Sequence, residues 1–379
     1  MKLAIIYDML YPYSIGGAEI RNYHFARELS KKGHEVHLFG VKLWEGKDAI
    51  KKDGLYYHGV CRYKQKYKFN GKRSIFEPLY FSYKLFFYFL NSKQDFDIID
   101  CASFPYFPVF ACKVYSMLKR KPLIITWHEY WGNYWYKYLG WKGFFGKIIE
   151  KLTIKLTDNI VAVSDRTKSK LITAGAENVI VIPNAINFEK IGKVKPRKEK
   201  SDVIYSGRLM KHKNIDFLIK AVALLKVEKS DIRAIIIGEG PEKNSLINLV
   251  GELNLQQNIK FFDFFKKQEN IYRYMKSAKV FVLPSTLEGF GIVALEAMAC
   301  NLPVVTIKHK DNAAMDLVDK SLIVNLDETN IAEKIKILLK DKSLRKKIVT
   351  NALKKVKRYN IKNVIKNLET IYTSPHTNP

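Results

Sequence analysis

Short apolar runs alternate with helical patterns along the first half of the chain. The apolar runs lie at 3–7, 35–39, 98–99, 123–126 and 160–163. Between the first two, Ala18 to Lys32 has helical spacing and stops at Gly33. Brief apolar strands separated by loops and helical segments are typical of a parallel sheet with crossover helices. The pattern therefore predicts one α/β domain over residues 1–185.

A second series of the same kind follows a break in the pattern. Residues 186–200 are rich in charge and include one Gly and one Pro, which predicts an exposed linker. The strands predicted after it lie at 203–205, 234–237, 259–261, 280–283 and 304–306. We expect a second doubly wound domain over residues 201–360 and a last helix, 361–373, that packs back on the first domain. Two such domains that face each other leave a central cleft, where ligands of open α/β folds bind.

Composition agrees with a two-domain globular protein. The chain has 379 residues, of which 47% are hydrophobic and 27% are charged. The four cysteines match neither a metal clip nor a disulfide framework, which indicates a reducing compartment. Asp8 interrupts the first apolar run, and no run reaches the roughly 18 apolar residues of a membrane span. We expect a cytoplasmic protein.

The formal net charge of +28 suggests an anionic partner. Two clusters stand out: residues 51–93 carry ten basic and two acidic residues, and residues 340–358 carry nine and one. Each is either a solvated face or a surface attracted to an anionic membrane. Binding of nucleic acid would need basic residues on one face or a known reading motif. Neither appears, and we predict no nucleic-acid partner.

The segment 284–299 combines a strand, a turn with two glycines and a helix. Gly289 and Gly291 let a ligand approach the backbone at the helix start, where unpaired N–H groups favour anionic or hydroxyl-rich partners. Glu288 precedes the helix, and Glu296 lies about two turns into it, within a quadrant of the helix start. Both carboxylates are predicted to face one site.

This E-x7-E spacing resembles the retaining glycosyltransferases of family 4, which have the GT-B fold of two Rossmann-like domains. The resemblance implies that Glu288 lies beside the transferred sugar and that Glu296 binds the nucleotide ribose. The N–H groups that follow Glu288, in Gly289, Phe290, Gly291 and Ile292, would hold sugar hydroxyls.

Four further elements are similar to motifs of the same family. Arg208 and Lys213 match an R-x4-K pair that clamps the donor diphosphate. Stabilising the charge of a leaving diphosphate is a task that fixed cations perform well. Gly238-Glu239-Gly240-Pro241 resembles the loop beneath the nucleotide. Gly16-Gly17 resembles the loop that meets the donor phosphates from the first domain, and His128 is implied to point toward the sugar.

The family uses basic side chains where other transferases use a divalent metal, so we predict no metal and no cofactor. Asp95 and Asp97 form a D-x-D pattern, which we interpret as the polar start of a strand. Three positions depart from the family: Asn301 and Asp263 each stand where glycine is common. The third departure lies at residues 312–316, where the family has two glycines before an acidic residue.

An aromatic and basic stretch, 131–145, follows His128. It suits sugar rings or a lipid headgroup boundary, and it is equally consistent with a lid packed on the core. The sequence thus predicts a metal-independent, retaining hexosyltransferase. Its partners would be a nucleotide-sugar donor, a glycan or lipid-linked acceptor and an anionic membrane surface. The alternatives are a disaccharide phosphorylase or synthase of the same fold and, more remotely, a basic nucleic-acid-binding protein.

Overall fold

The computed structural model describes residues 1–63, 74–92, 94–265 and 267–375. The chain divides into two compact units. Unit 1 contains residues 1–184 and the segment from Ile361 onward, and unit 2 contains residues 185–360. Each unit has its own sheet, and all strand pairs but one are parallel in the described residues. This confirms the predicted class of two Rossmann-like α/β domains.

Unit 1 is built on eight strands. They are β1 (Lys2–Ile6), β2 (Glu35–Val41), β3 (Ala49–Lys52), β4 (Leu55–Cys61), β5 (Ile98–Ala102), β6 (Leu123–Trp127), β7 (Asn159–Ala162) and β8 (Val179–Val181). Their order in the sheet is β3-β4-β2-β1-β5-β6-β7-β8. The edge strand β3 is antiparallel to β4 and was not predicted. Asp53 and Gly54 connect them with positive φ, as a tight hairpin turn requires.

Helices cover both faces of this sheet. They are α1 (Gly17–Lys31), α2 (Phe76–Asn91), α3 (Phe107–Lys119), α4 (Tyr134–Leu139), α5 (Gly143–Ile154) and α6 (Asp165–Thr173). One core cluster joins the inner faces of α2 to α6 with strand residues such as Ile99, Ile125 and Trp127. Helices α2 to α6 therefore form one layer on the same face of the sheet.

Unit 2 repeats the strand–helix alternation. Its strands are β9 (Val203–Ser206), β10 (Ala234–Ile237), β11 (Ile259–Phe262), β12 (Val280–Leu283), β13 (Val304–Ile307) and β14 (Ile323–Val324), in the order β11-β10-β9-β12-β13-β14. Its helices are α7 (Phe188–Lys193), α8 (Ile215–Glu228), α9 (Lys243–Glu252), α10 (Gln268–Met275), α11 (Ile292–Ala299), α12 (Glu328–Lys340) and α13 (Lys342–Val356). Asn301 has φ of 65°, which is the left-handed conformation expected where glycine is common.

The structure differs from the expected linker at its start. Helix α7 occupies the first part of 186–200, and its Ile191 is buried in unit 2. Ile186 is buried as well, and the high charge of the segment obscures these two apolar anchors. The segment 195–200, which follows the helix, is mainly exposed, as expected of a linker. The last helix, α14 (Ile361–Thr373), belongs to unit 1 and packs beside α1. Of the basic cluster at 51–93, residues 64–73 and 93 lie outside the described residues.

Candidate functional site

Two loops of unit 2 meet at one edge of its sheet. One loop follows β9 and the other follows β12, and these strands are parallel neighbours, so their carboxyl ends lie together. The Thr286 N–H donates to the carbonyl of His212 at 3.0 Å. The Asn214 amide donates to the carbonyl of Pro284 at 2.9 Å. These bonds fix the loop that carries the basic pair against the loop that carries Glu288.

Lys213 and Glu288 are in direct contact. The Lys213 ammonium lies 2.7 Å from Oε1 of Glu288, and both side chains are mostly buried. The nearby His212 has its pKa lowered to about 3, first by burial and then by the charges of Lys213 and Arg208. Arg208, at the start of the same loop, therefore lies close enough to His212 to affect its pKa. The structure brings together the predicted diphosphate clamp and the predicted sugar-side carboxylate.

Glycines allow a third loop, which follows β10, to approach the first. A Cβ atom on Gly238 would lie 2.0 Å from the carbonyl oxygen of Gly207, and one on Gly240 would lie 2.3 Å from that of Leu209. The Leu209 N–H donates to the carbonyl of Glu239 at 2.8 Å, while the Glu239 side chain is exposed. The Gly-Glu-Gly-Pro segment thus lies directly beside the segment that carries Arg208.

The start of α11 depends on a fourth loop, which follows β13. Gly291 has φ of +84°, and a Cβ there would lie 2.6 Å from the Cβ of Ala314. The backbone of Glu288 pairs with this loop on both sides, through Asp311 and Ala313. The buried Asn312 side chain donates to Ile307 and accepts from the Ala314 N–H. Asn312 is thus the residue that shapes this loop, and the sequence analysis treated it only as a departure from the family pattern.

The remaining predicted residues of α11 lie at its start and in its interior. Phe290 packs edge-on against Tyr359, and Ile292 is the first helical residue. Glu296 is buried and accepts hydrogen bonds from the Tyr272 hydroxyl, at 2.8 Å, and from the Gln268 amide. Burial outweighs these two donors and raises the pKa of Glu296 to about 7. The sequence analysis missed these two donors: their i,i+4 spacing puts them on one side of α10, but it does not identify Glu296 of α11 as their partner.

In unit 1, Gly16 and Gly17 stand at the start of α1. Gly16 precedes the helix with an extended backbone, and no side chain caps this helix start. His128 follows β6, and its buried Nε2 atom has no hydrogen-bond partner in the described part of the chain. Burial and then the charge of Arg21 lower the pKa of His128 to about 3. The imidazole is therefore neutral at physiological pH.

A buried polar cluster near His128 was not predicted. The Arg21 guanidinium donates to the carbonyl of Pro183 at 3.1 Å. Asp100 accepts from the Thr126 hydroxyl at 2.8 Å and from the Tyr372 hydroxyl at 2.6 Å. Burial lowers the pKa of Arg21 to about 10, and the charge of Asp100 opposes that change. The cluster joins α1, the sheet and the final helix of unit 1.

The D-x-D pattern forms no shared site in the structure. Asp95 pairs with Lys121 at 2.8 Å, and Asp97 accepts the Lys2 N–H at 2.7 Å. The two carboxylates thus serve separate contacts around the start of β5, as the sequence analysis interpreted them.

The site in unit 2 thus combines two cations, a carboxylate, four tightly packed loops and a helix start. Such an arrangement can bind a ligand that carries phosphate charge at one end and hydroxyl groups at the other. Neutral His128 of unit 1 can donate or accept a hydrogen bond, but it does not supply a positive charge.

Comparisons with known proteins agree with this chemistry. Residues 187–355 match the family model described as Glycosyl transferases group 1, and residues 15–190 match the one described as Glycosyltransferase Family 4. Two curated relatives are informative. N-acetylgalactosamine-N,N'-diacetylbacillosaminyl-diphospho-undecaprenol 4-alpha-N-acetylgalactosaminyltransferase of Campylobacter jejuni is 35% identical over 47% of this chain. The chain spans about half the length of this relative, 49%.

The second relative, N-acetyl-alpha-D-glucosaminyl L-malate synthase of Bacillus anthracis, is 24% identical over 96% of this chain and 94% of its own length. Among solved structures, sucrose-phosphate synthase of Thermosynechococcus elongatus has a TM-score of 0.83. The match covers 98% of each chain at 20% identity, which shows a shared fold, GT-B.

Proposed function

The chain belongs to the group 1 glycosyltransferases of family 4, and from this premise we propose that it is a metal-independent, retaining hexosyltransferase. Its donor would be a nucleotide diphosphate sugar, and its acceptor a glycan or a lipid-linked glycan. A lipid-linked acceptor would place the enzyme on the cytoplasmic face of a membrane as a peripheral protein.

The observation that carries the proposal is the contact of Lys213 with Glu288 in a site that also includes Arg208. When the bond between the anomeric carbon and the phosphate breaks, negative charge develops on the diphosphate. Arg208 and Lys213 would stabilise that charge, because fixed cations in a site with little water act strongly. Glu288 would remain beside the sugar, and Glu296 would accept hydrogen bonds from the ribose hydroxyls.

We propose attack on the same face from which the diphosphate leaves. The acceptor oxygen forms the new bond to the anomeric carbon, and its proton passes to an oxygen of the departing phosphate. The configuration at the anomeric carbon is then retained without a covalent intermediate. Neutral His128 would orient the sugar by hydrogen bonding, since its lowered pKa keeps a positive charge away from that position.

The test begins with calorimetric screening of UDP-, GDP- and dTDP-sugars to identify the donor. With that donor, Arg208→Ala or Lys213→Ala should lower turnover by on the order of 10²–10³, the effect of one lost transition-state donor. Glu288→Gln should be impaired to a similar extent. Lys211→Ala is the matched control, because Lys211 is an exposed lysine of the same loop. Near-normal turnover of the Lys213 variant would contradict the assigned clamp.

Two further readouts test the finer parts of the proposal. The anomeric proton coupling of the product, measured by NMR, should show the configuration of the donor sugar. Turnover should persist in a chelator, and a strict need for Mn²⁺ would refute metal independence. Transfer to inorganic phosphate or to a sugar phosphate alone would instead identify the phosphorylase or synthase alternative.

A further inference from the structure

Exposed apolar side chains are concentrated in one part of unit 1. In the described part of the chain, 23 large hydrophobic side chains are exposed, and 16 of them lie between Ile75 and Leu152. All eight exposed aromatic side chains of the described residues belong to this group. The other seven are aliphatic or Met and are scattered along the chain, which is ordinary for a protein surface. A concentrated apolar surface marks an interaction site.

These side chains lie on one side of the unit. The helices that carry them are α2, α3, α4 and α5, whose inner residues share a single core cluster with one face of the sheet. Their outer surfaces therefore point away from that face together. We call this outer surface of α2 to α5 the apolar face.

Helix α5 and the turn before it show an inverted pattern. Its buried side includes Gly143, Glu150 and Thr153, while Phe144, Phe145, Ile148 and Leu152 are exposed. Cβ atoms on Gly143 and Gly146 would lie 2.4 Å and 2.5 Å from Trp135, so the glycines let α5 pack closely on α4. Glu150 accepts hydrogen bonds from the N–H groups of Trp131 and Gly132. Four of the six bulky apolar residues of α5 are thus left on the outside, while Ile154 is buried and Ile149 packs against the core.

Helix α2 has a second apolar stripe. Phe81, Leu85 and Phe89 are buried, as expected for a helix on a sheet. On the opposite side, Phe76, Tyr80, Tyr83, Phe87 and Leu90 are exposed and recur at helical spacing. A helix that needed only to cover the sheet would carry polar residues there.

The charge around the apolar face is positive. Residues 134–155 contain five lysines and one acid, and that acid is the buried Glu150. Lysine ammonium groups lie over exposed rings, with Lys142 at 5.7 Å from the Trp141 ring and Lys84 at 5.7 Å from the Tyr80 ring. Aromatic rings with lysine heads beside them are typical of proteins at the boundary between headgroups and acyl chains.

We propose that the apolar face docks unit 1 on an anionic lipid bilayer, with the aromatic side chains between the headgroups and the lysines against the lipid phosphates. No helix in the described residues is both long enough and apolar enough to span a bilayer, so the contact is interfacial. A second copy of the chain fits less well, since a two-fold interface would place these lysines opposite one another. Docking requires no donor, so it stands or fails independently of the proposed transfer.

The experiment measures sedimentation of the full chain with vesicles of phosphatidylcholine, alone or mixed with phosphatidylglycerol. The wild type should bind the mixed vesicles at about 0.1 M salt and much less at about 1 M, where screening is shorter. Trp141→Ser with Phe145→Ser should weaken binding by about tenfold or more for each aromatic removed. Lys142→Glu with Lys151→Glu should weaken it by at least about fivefold per lysine.

Matched controls make the same kinds of substitution on the surface of unit 2. Val227→Ser removes an apolar side chain that is 87% exposed on unit 2, and Lys346→Glu with Lys347→Glu reverses charge in the second basic cluster. Both should bind vesicles as the wild type does. A wild type that stays in the supernatant at low salt would overturn the proposal, as would equal losses in the controls. Sedimentation equilibrium provides a further test. A dimer that is dissociated by the Trp141 and Phe145 changes would overturn the proposal in favour of self-association.

Discussion

Replacing Glu296 with glutamine should make unit 2 more stable above neutral pH while weakening the binding of the donor. The carboxyl group is buried, and its pKa is raised from 4.5 to about 7. For an acid with a raised native pKa, the native state holds the proton more tightly than the unfolded state does. The stabilisation is therefore fully present below pH 4.5 and is lost as the pH rises through about 7.

The size of this effect follows from the change in pKa. A rise from 4.5 to about 7 corresponds to about 3 kcal/mol, as an order of magnitude, between pH 4.5 and pH 8. Glutamine keeps an oxygen that can accept from Tyr272 and Gln268, but it carries no charge. Relative to the wild type, Glu296→Gln should gain about 3 kcal/mol over that pH interval. Other titrating groups, including His212, are common to both proteins and cancel in the comparison.

Hydrogen exchange of the α11 and β12 amides in the unliganded proteins, at several pH values, measures this difference. All five tryptophans lie in unit 1, so urea unfolding followed by tryptophan fluorescence is an internal control that should not change. Calorimetry with the nucleotide should show weaker binding, since the charged acceptor proposed for the ribose hydroxyls is gone. An identical pH dependence of α11 exchange in both proteins would refute the reasoning.

Three other changes test separate parts of the structure. Gly238→Ala forces a methyl group against the Gly207 carbonyl and should lower the free energy of unfolding of unit 2 in urea by about 1–3 kcal/mol. The control Gly192→Ala, with no atom within 4 Å of the new Cβ, should leave it nearly unchanged. Tyr372→Phe removes a donor to the buried Asp100 and should lower the free energy of unfolding of unit 1 by about 1–3 kcal/mol. Amide exchange in α14 should become faster, and unchanged exchange there would argue against this bond. His128→Ala should lower turnover with the identified donor and leave the urea midpoint of unit 1 nearly unchanged, and normal turnover would remove His128 from the site.

The strands and loops of unit 2 were predictable because their signals are local. Strands β10 and β12 have the predicted bounds, since each is an apolar run bordered by polar residues and turns. The four loops that build the site follow parallel strands, so their convergence follows from the topology. The E-x7-E spacing places Glu288 before α11 and Glu296 inside it by helical geometry alone. Spacing could not indicate the donors Gln268 and Tyr272, which come from another helix.

The polar cluster of unit 1 was beyond the reach of sequence patterns. Arg21 lies in a helix of mixed polarity, where an arginine is usually exposed, and only tertiary packing buries it. Tyr372 meets Asp100 across 272 positions of sequence. No periodicity links residues so far apart. The hairpin turn at Asp53-Gly54 is a different case, because Asp-Gly is a known hairpin signal and the short lysine-containing strand before it obscured that signal.

Helix α5 shows why periodicity alone cannot assign the surface of unit 1. Trp141, Phe145, Ile148 and Leu152 recur at the spacing of one helical stripe, which by itself predicts that this side is buried. Spacing separates the two sides of a helix, but it does not say which side meets the core. Here the close approach of α4 at Gly143 decides the matter, because only a side without bulky groups fits against Trp135. The exposed stripe is therefore a consequence of backbone packing, and it supplies the surface that the vesicle experiment tests.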